Sequence, residues 1–488
     1  MVCALPASAQ SHYWSDHFGN ESILLSGAVI GSVTDGGAVF YNPARLVHQE
    51  DPVLLSGAKA YEWTKTRVTD GLGPGEDLQT SGFRGVPGFA VGSFAIPGLQ
   101  GHQFAYGILT RQRGRVGFTV RDERIDVVPD LPGNDLFVGF TDFSTEYRDD
   151  WMGVSWAHAM GQDLSIGASL FYFDREFSRG AVVDFRAVDD LGNAATLQIE
   201  RTYRAKDWGL VGKLGLAWRR DRLSAGLSVT LPYWSIAGKG TVRFDDFSVG
   251  IPDSSGTGSS ELVSLQQGGL PLDWRTPWSV GAGVGWSTGP WQLHAAAEYF
   301  AGVSRHVLLQ TDADGDQISV GVPVDYAVVD ERKAVLNGGL GVRWAGSDRI
   351  ALFGSVASNL SAAPDSLVEF TRLDTLVSHT SLEIDYVLVG GGISLRTRWA
   401  DFTLGATWQG GRDAMPTAVV LPNGRPPVDE GEAVVHLTQW RFLAGVSIPM
   451  LDELLGGVLG RGSRGAAKGD PEVRLRRGPP PSPPSAAR

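Results

Sequence analysis

At 488 residues with a formal net charge of −12, the chain is long enough for several domains or one large sheet. It is too acidic for a general nucleic-acid binder, whose phosphate partner demands a basic surface. A mean hydropathy of −0.06, with no run of about 18 apolar residues, excludes helical membrane spans but not barrel strands, in which lipid-facing and inward residues alternate.

The chain opens on "MVCALPASAQ". The small residues Ala7 to Ala9 have the character of a cleavage site, so residues 1–9 are expected to be the remnant of a signal peptide, with Gln10 as the mature N-terminus. Cys3 is the only cysteine, and its removal would leave no thiol or disulfide chemistry. Residues 10–50 follow as a separate segment. Its centre, "SILLSGAVIGSV", is apolar but too short to span a membrane as a helix, and it leads into "DGGAVFYNPARL". Gly27, Gly31, Gly36, Gly37 and Ala38 suit close backbone packing, and Asn42-Pro43 fixes a turn.

From about Asp51 to residue 450, apolar and polar residues alternate in segments of ten or more, the strand period of two. In "TPWSVGAGVGWSTG", Trp278, Val280, Ala282, Val284 and Trp286 share one face, opposite Ser279, Gly281, Gly283, Gly285 and Ser287. At about 3.3 Å per residue and a tilt of about 40°, such a face rises roughly 20 Å, close to the apolar band of a membrane barrel. The pattern recurs at Trp291–Tyr299, Trp208–Trp218, Ala334–Trp344, Phe402–Trp408 and Trp440–Ile448. Tight connections fall near "PGLQGH", "MGQDL", "RRDRL", "STGPW", "AGSDR" and "RTRWAD". Long polar connections are expected at 68–85, 122–145, 186–200, 248–275, 312–331, 366–381 and 419–432. The fold class is therefore all-β: a fourteen-stranded antiparallel transmembrane barrel with an N-terminal plug at 10–50 and its wall at 51–450. Residues 451–488, rich in proline, arginine and glycine, are expected to be a disordered periplasmic tail.

No H-E-x-x-H, G-x-S-x-G, P-loop or paired-cysteine motif occurs, so no catalytic residues and no cofactor are assigned. His294 and Glu298 share a face, as many polar pairs do in alternating strands. "TDADGDQ", with Asp312 and Asp316, departs from calcium-loop order and is read as solvated loop rather than a metal site. The strand phase points Phe171, Phe173, Phe353, Lys213, Arg343 and Arg441 inward. These residues suit either an amphipathic acid or a salt-bridge network that braces the plug.

A plug ending in "FYNPARL" ahead of a fourteen-strand barrel resembles the FadL/TodX outer-membrane hydrophobic-compound transport family, with Tyr41, Asn42, Pro43 and Ala44 on its NPA motif. The resemblance covers residues 11 to about 449. It implies a monomer in a bacterial outer membrane, with lipid around it and a hydrophobic small molecule, such as a long-chain fatty acid or aromatic hydrocarbon, passing through passively. It also implies sideways release at a kinked third strand, here "HQFAYGILTRQRGRVGFTV", where Gly107, Gly114 and Gly117 are the candidate kink positions. The apolar residues of "VVPDLPGNDLFVGF", namely Leu131, Leu136, Phe137, Val138 and Phe140, are the candidate loop entrance. Arg45 departs from the family, which usually has glycine after the motif, and about forty residues follow Met450 where family barrels usually end near an aromatic residue. An alternative within reach of the same signature is a secretion or surface-assembly partner resembling the PorV-like branch.

Overall fold

The structure, a computed structural model, describes residues 12–49, 53–69, 77–96, 98–125, 131, 133–252, 258–312, 317–319, 326–364, 377–378, 384–397, 400–416 and 432–449. The expected signal remnant and tail lie outside the described residues, as do residues 313–316 of "TDADGDQ" and much of the expected connections at 366–381 and 419–432.

The fold is all-β. Strands β1 Val53–Thr69, β2 Leu78–Phe94, β3 His102–Ile125, β4 Asp135–Ala159, β5 Leu164–Asp189, β6 Ala194–Arg220 and β7 Leu223–Thr230 follow one another as antiparallel neighbours. After them come β8 Trp234–Pro252, β9 Gly258–Pro271, β10 Ser279–Thr288, β11 Trp291–Phe300, β12 Val303–Gln310, β13 Gln317–Ser319 and β14 Ala327–Arg332. The last six are β15 Val335–Ala345, β16 Ile350–Asn359, β17 Val377–Ser378, β18 Tyr386–Arg396, β19 Asp401–Pro416 and β20 Glu432–Pro449. From β7 the antiparallel pairings run through β10, β11, β15, β16, β18, β19 and β20, and β20 pairs along its length with β1. The described residues thus hold twenty strands rather than the fourteen expected. The other six are β8, β9 and β13, which extend the sheet from β6, and β12, β14 and β17, which form a small sheet of their own.

The difference arises in segments expected to be loops. β3 and β4 run on to Ile125 and from Asp135, and β5 and β6 meet in a turn at Asp189–Asn193. β3 to β6 are 24 to 27 residues long, well beyond the usual strand. Expected loop 248–275 is mostly the β8–β9 hairpin. β7 and β8 together pair the length of β6, interrupted at Pro232, which has no N–H to give a ladder.

Alternation is inverted relative to a soluble sheet. In β10 the side chains of Ala282, Val284 and Trp286 are exposed, whereas Ser279, Gly281, Gly283 and Gly285 are buried. Aromatic residues, exposed or half-buried, pair at both ends of this apolar face, as with Trp278–Tyr299 at 5.8 Å and Trp291–Trp344 at 6.2 Å between ring centroids. On β4 to β6 the exposed face turns charged just past Tyr172 and Trp208, where Arg148 meets Asp174 (2.9 Å) and Arg204 meets Glu176 (2.7 Å).

Residues 12–49 are buried against the opposite, glycine-rich face. They make turns, a four-residue helix α1 (Ala38–Tyr41) and a 3-10 turn (Pro43–His48). Contact is close: a Cβ on Gly31 would lie 2.1 Å from the Gly283 carbonyl oxygen, and one on Gly215 would lie 2.2 Å from the Asn42 side-chain Oδ1. Glycine at these wall positions is what admits the segment. Gly215→Val should therefore unseat the N-terminal segment, costing about 1–3 kcal/mol of stability by overpacking. Limited proteolysis of purified protein should show faster cleavage before Asp51, while Ala282→Val on the exposed face leaves the cleavage rate unchanged. Equal protection of Gly215→Val would refute the contact.

Candidate functional site

Asn42 caps the 3-10 turn. Its Oδ1 accepts from Ala44 N (3.1 Å), while Nδ2 donates to the carbonyls of Ile30 (3.0 Å) and Leu216 (3.1 Å). One amide group therefore ties the turn to the segment's own core and to β6. Ser165 on β5 donates to the Ala44 carbonyl (2.8 Å), and Ser169 to that of Val39 (2.9 Å). Pro43 and Ala44 are buried, and the Tyr41 hydroxyl accepts from Phe18 N (2.9 Å) within the segment itself. The four motif residues thus act together in seating the segment.

Above this turn lies a small aromatic pocket of about 60 Å³, bordered by Phe40, Tyr41, Trp151, Lys213, Tyr233 and Trp274. Lys213 places its ammonium 4.4 Å from the Phe40 ring centre and donates to Thr230 Oγ1 (2.8 Å). Phe171 and Phe173 stand behind the pocket, Phe171 against Trp151 (5.2 Å) and Phe173 against Tyr233 (4.6 Å). Arg175 closes one side. Its guanidinium sits 4.0 Å from the Trp274 ring centre and pairs with the buried Asp207 at 2.6 Å. Asp149 accepts from Trp151 Nε1 (3.0 Å) and from the Tyr233 hydroxyl (2.7 Å), which fixes both rings. Sequence reasoning missed Trp151, Arg175, Asp207 and Tyr233. Their inward phase was legible, but partners from distant strands and the β7–β8 break were not.

The six expected ligand residues do not form one site. Arg441 and Arg343 hold the N-terminal segment instead. Arg441 pairs with Asp16 (2.7 Å) and with Glu62 on β1 (2.8 Å), donates to the Ser15 carbonyl, and shares Glu62 with Arg84 of β2. Arg343 faces Glu21 at 3.4 Å and lies over Phe353. Burial raises the Asp16 and Glu21 carboxyls, against the opposing pull of Arg441 and Arg343. Burial also pushes the His17 imidazole down to about 3, with Arg441 and Arg111 adding to the shift, so it stays neutral in this setting. His294 and Glu298 likewise grip the segment, through Ser32 (2.7 Å) and Trp14 Nε1 (3.0 Å).

The expected loop entrance is corrected. Leu136 to Phe140 belong to β4, whose period of two divides them: Leu136 and Phe140 are exposed, while Phe137 is buried with Phe185, and Leu131 packs on that cluster. The third strand carries its irregularity between Gly107 and Gly114, and Gly117 lies farther along. β3 and β4 lose register at Arg111, between Thr110 and Gln112. β2 has its own irregularity at Lys59 of β1, opposite the Pro87-Gly88 pair. β2 and β3 pair only from Phe89 to Phe94 and from Phe104 to Leu109. Beyond that level each pairs only with its other neighbour, leaving a split in the sheet. The N-terminal segment sits beside it, with Arg111 and Gln112 donating to the carbonyls of Tyr13 (2.7 Å) and His12 (2.8 Å).

This architecture matches solved structures along most of their length. The Pseudomonas putida toluene transporter TodX superimposes with a TM-score of 0.54 at 12% identity, covering 89% of this chain and 98% of that one. The chain has the FadL/TodX channel fold. The Ralstonia pickettii toluene transporter TbuX gives 0.51 at 11% identity (89% and 98% covered), and a Pseudomonas aeruginosa FadL homologue 0.51 at 9% (90% and 100%). These structures with the FadL/TodX fold are transport channels rather than enzymes. No family model and no curated protein matches the sequence.

The ion-pair cluster generates a stability test. Arg441→Leu leaves Asp16 without its ion partner and Glu62 with Arg84 alone, and should cost about 3–5 kcal/mol. Denaturant melts in detergent should show this loss, partly restored in Arg441→Lys. A change under about 1 kcal/mol would mean that the cluster does not brace the segment.

Proposed function

We propose that the strands running from β1 through β7, β10, β11, β15, β16 and β18 to β20 close as a fourteen-strand transmembrane barrel in a bacterial outer membrane. Residues 12–49 plug it, and hydrophobic small molecules such as long-chain fatty acids or aromatic hydrocarbons pass passively inward. The pairing of β20 with β1 and the exposed apolar face with aromatic ends support the barrel, since only a closed sheet satisfies its backbone in lipid.

The split between β2 and β3 carries the transport reading. Unpaired strand edges are costly and are usually covered, yet here both strands break at one level, with exposed Tyr61, Trp63 and Phe83 on one side and Tyr106 and Ile108 on the other. A solute held near Phe40, Trp151 and Lys213 has a short sideways path past His12 and Tyr13 to a surface as apolar as itself. The Asn42 turn anchors the plug while its first residues shift. The chain's likeness to channels whose names specify toluene supports the same substrate class. The gradient of the solute supplies the drive.

Deleting Arg111 removes the extra residue of β3 and should let β3 re-pair with β2. Uptake of labelled fatty acid and of toluene by cells carrying this variant should fall about tenfold, with Asn42→Ala intermediate. Absence of protein-dependent uptake of any hydrophobic compound would end the transport reading. Full uptake by the Arg111 deletion would overturn the sideways route alone.

A further inference from the structure

At the short-turn end, below the Asn42 turn, lies a second and larger chamber of about 610 Å³. Its wall is polar. The turns at Asp221–Arg222, Ser287, Ser347–Arg349 and Thr397 form its rim, and the N-terminal segment forms its roof. It shares no lining residue with the aromatic pocket.

Six arginines border it: Arg45, Arg219, Arg222, Arg343, Arg349 and Arg396. Two are already paired, Arg343 with Glu21 and Arg396 with Asp401. Asp35 is also occupied, accepting from the backbone N–H groups of Glu21, Ser22 and Gly37. Asp221 and Asp348 are exposed on the rim turns. Arg45 is different. It is 2% exposed, its Nε donates to the Val33 carbonyl (3.2 Å), and its Nη1 is buried with no partner among the described residues. Burial, with the nearby Arg219 cation adding to it, holds the Arg45 guanidinium down to about 10. His294 also borders the chamber, with Nδ1 on Ser32 and Nε2 buried and without a partner among the described residues.

A buried guanidinium without a carboxylate among the described residues is costly, and a fixed guanidinium bordering a polar chamber offers donors of the kind that bind carboxylate or phosphate. The position of Arg45 is set by the backbone: Asn42 and Pro43 build the 3-10 turn, Ala44 packs on the wall, and Arg45 is the next residue, turned toward the chamber. We infer that the chamber is an oxyanion-binding site in which Arg45 meets a carboxylate or phosphate group, with His294 beside it and Arg219 and Arg222 at the rim. The oxyanion belongs either to the head group of an amphipathic acid or to a free small anion entering from the short-turn side. The site stands independently of the sideways route.

Isothermal titration of the purified full chain in an uncharged detergent tests this with dodecanoate, inorganic phosphate and dodecanol. The wild-type protein should bind dodecanoate or phosphate with a salt-sensitive affinity. Arg45→Gln should weaken that binding about tenfold or more and leave dodecanol unaffected, while Arg45→Lys retains part of it. Melting by circular dichroism confirms that both variants are folded; if Arg45→Gln does not fold, the comparison rests on Arg45→Lys and on His294→Ala. Arg45-dependent binding of dodecanoate alone assigns the site to an amphipathic acid, and binding of phosphate as well assigns it to free anions. No oxyanion binding by the wild type, or unchanged binding in the folded variants, overturns the site. Because cell uptake of toluene involves no anion, its presence or absence reports on the transport reading separately.

Discussion

Close approach between two stretches of backbone is the constraint on which the rest of this structure depends. At several points residues 12–49 lie against the buried face of the sheet with no room for a wall side chain, as at Gly31 on Gly283 and at Asn42 on Gly215. A Cβ at such points would overlap a carbonyl or an amide. The wall must therefore be small at those points, while elsewhere larger residues such as Phe89, Trp151 and Phe171 pack with the segment. The abundance of glycine and the outward placement of leucine, valine and tryptophan are two results of one packing requirement.

The same arrangement divides the buried charges into two kinds. Arg441, Asp16, Glu62 and Arg84 pair with one another, and each pairing crosses from the segment to a strand or between strands. Removing one member strands the others, which makes the cluster a lock on the segment's position. Arg175 and Asp207 are also paired but are enclosed by Phe173, Tyr233 and Trp274, so they shape the aromatic pocket. Arg45 belongs to neither group. Its position next to the Asn42 turn couples the seating of the segment to the chemistry of the chamber below it.

The two cavities differ in size and lining. The aromatic pocket is narrow, ring-lined and next to a split in the sheet, whereas the chamber is wide, polar and open among short turns. The split itself has a backbone origin on both sides. Pro87 cannot donate to a ladder, and the extra residue at Arg111 shifts the register of β3. The two irregularities fall at one level, and beyond it β2 and β3 are not paired with each other.

Much of this was legible in the sequence because a period of two assigns every residue of a strand to a face. The apolar faces ending in tryptophan, the six tight turns and the inward phase of Phe171, Lys213 and Arg441 follow from local pattern, and Asn42-Pro43 specifies its own turn. Periodicity does not say where a strand stops when its outer end becomes charged rather than irregular. For that reason Leu136 to Phe140 and the β8–β9 hairpin read as loops. Nor does it say which inward residues meet. Arg343 and Arg441 had the right phase for a ligand site, yet their partners are Glu21 and Asp16, more than three hundred residues away along the chain. Facing is a local property of the backbone and was fixed by the sequence pattern; partnership depends on how the segment and the strands are brought together, and only the tertiary structure decided it.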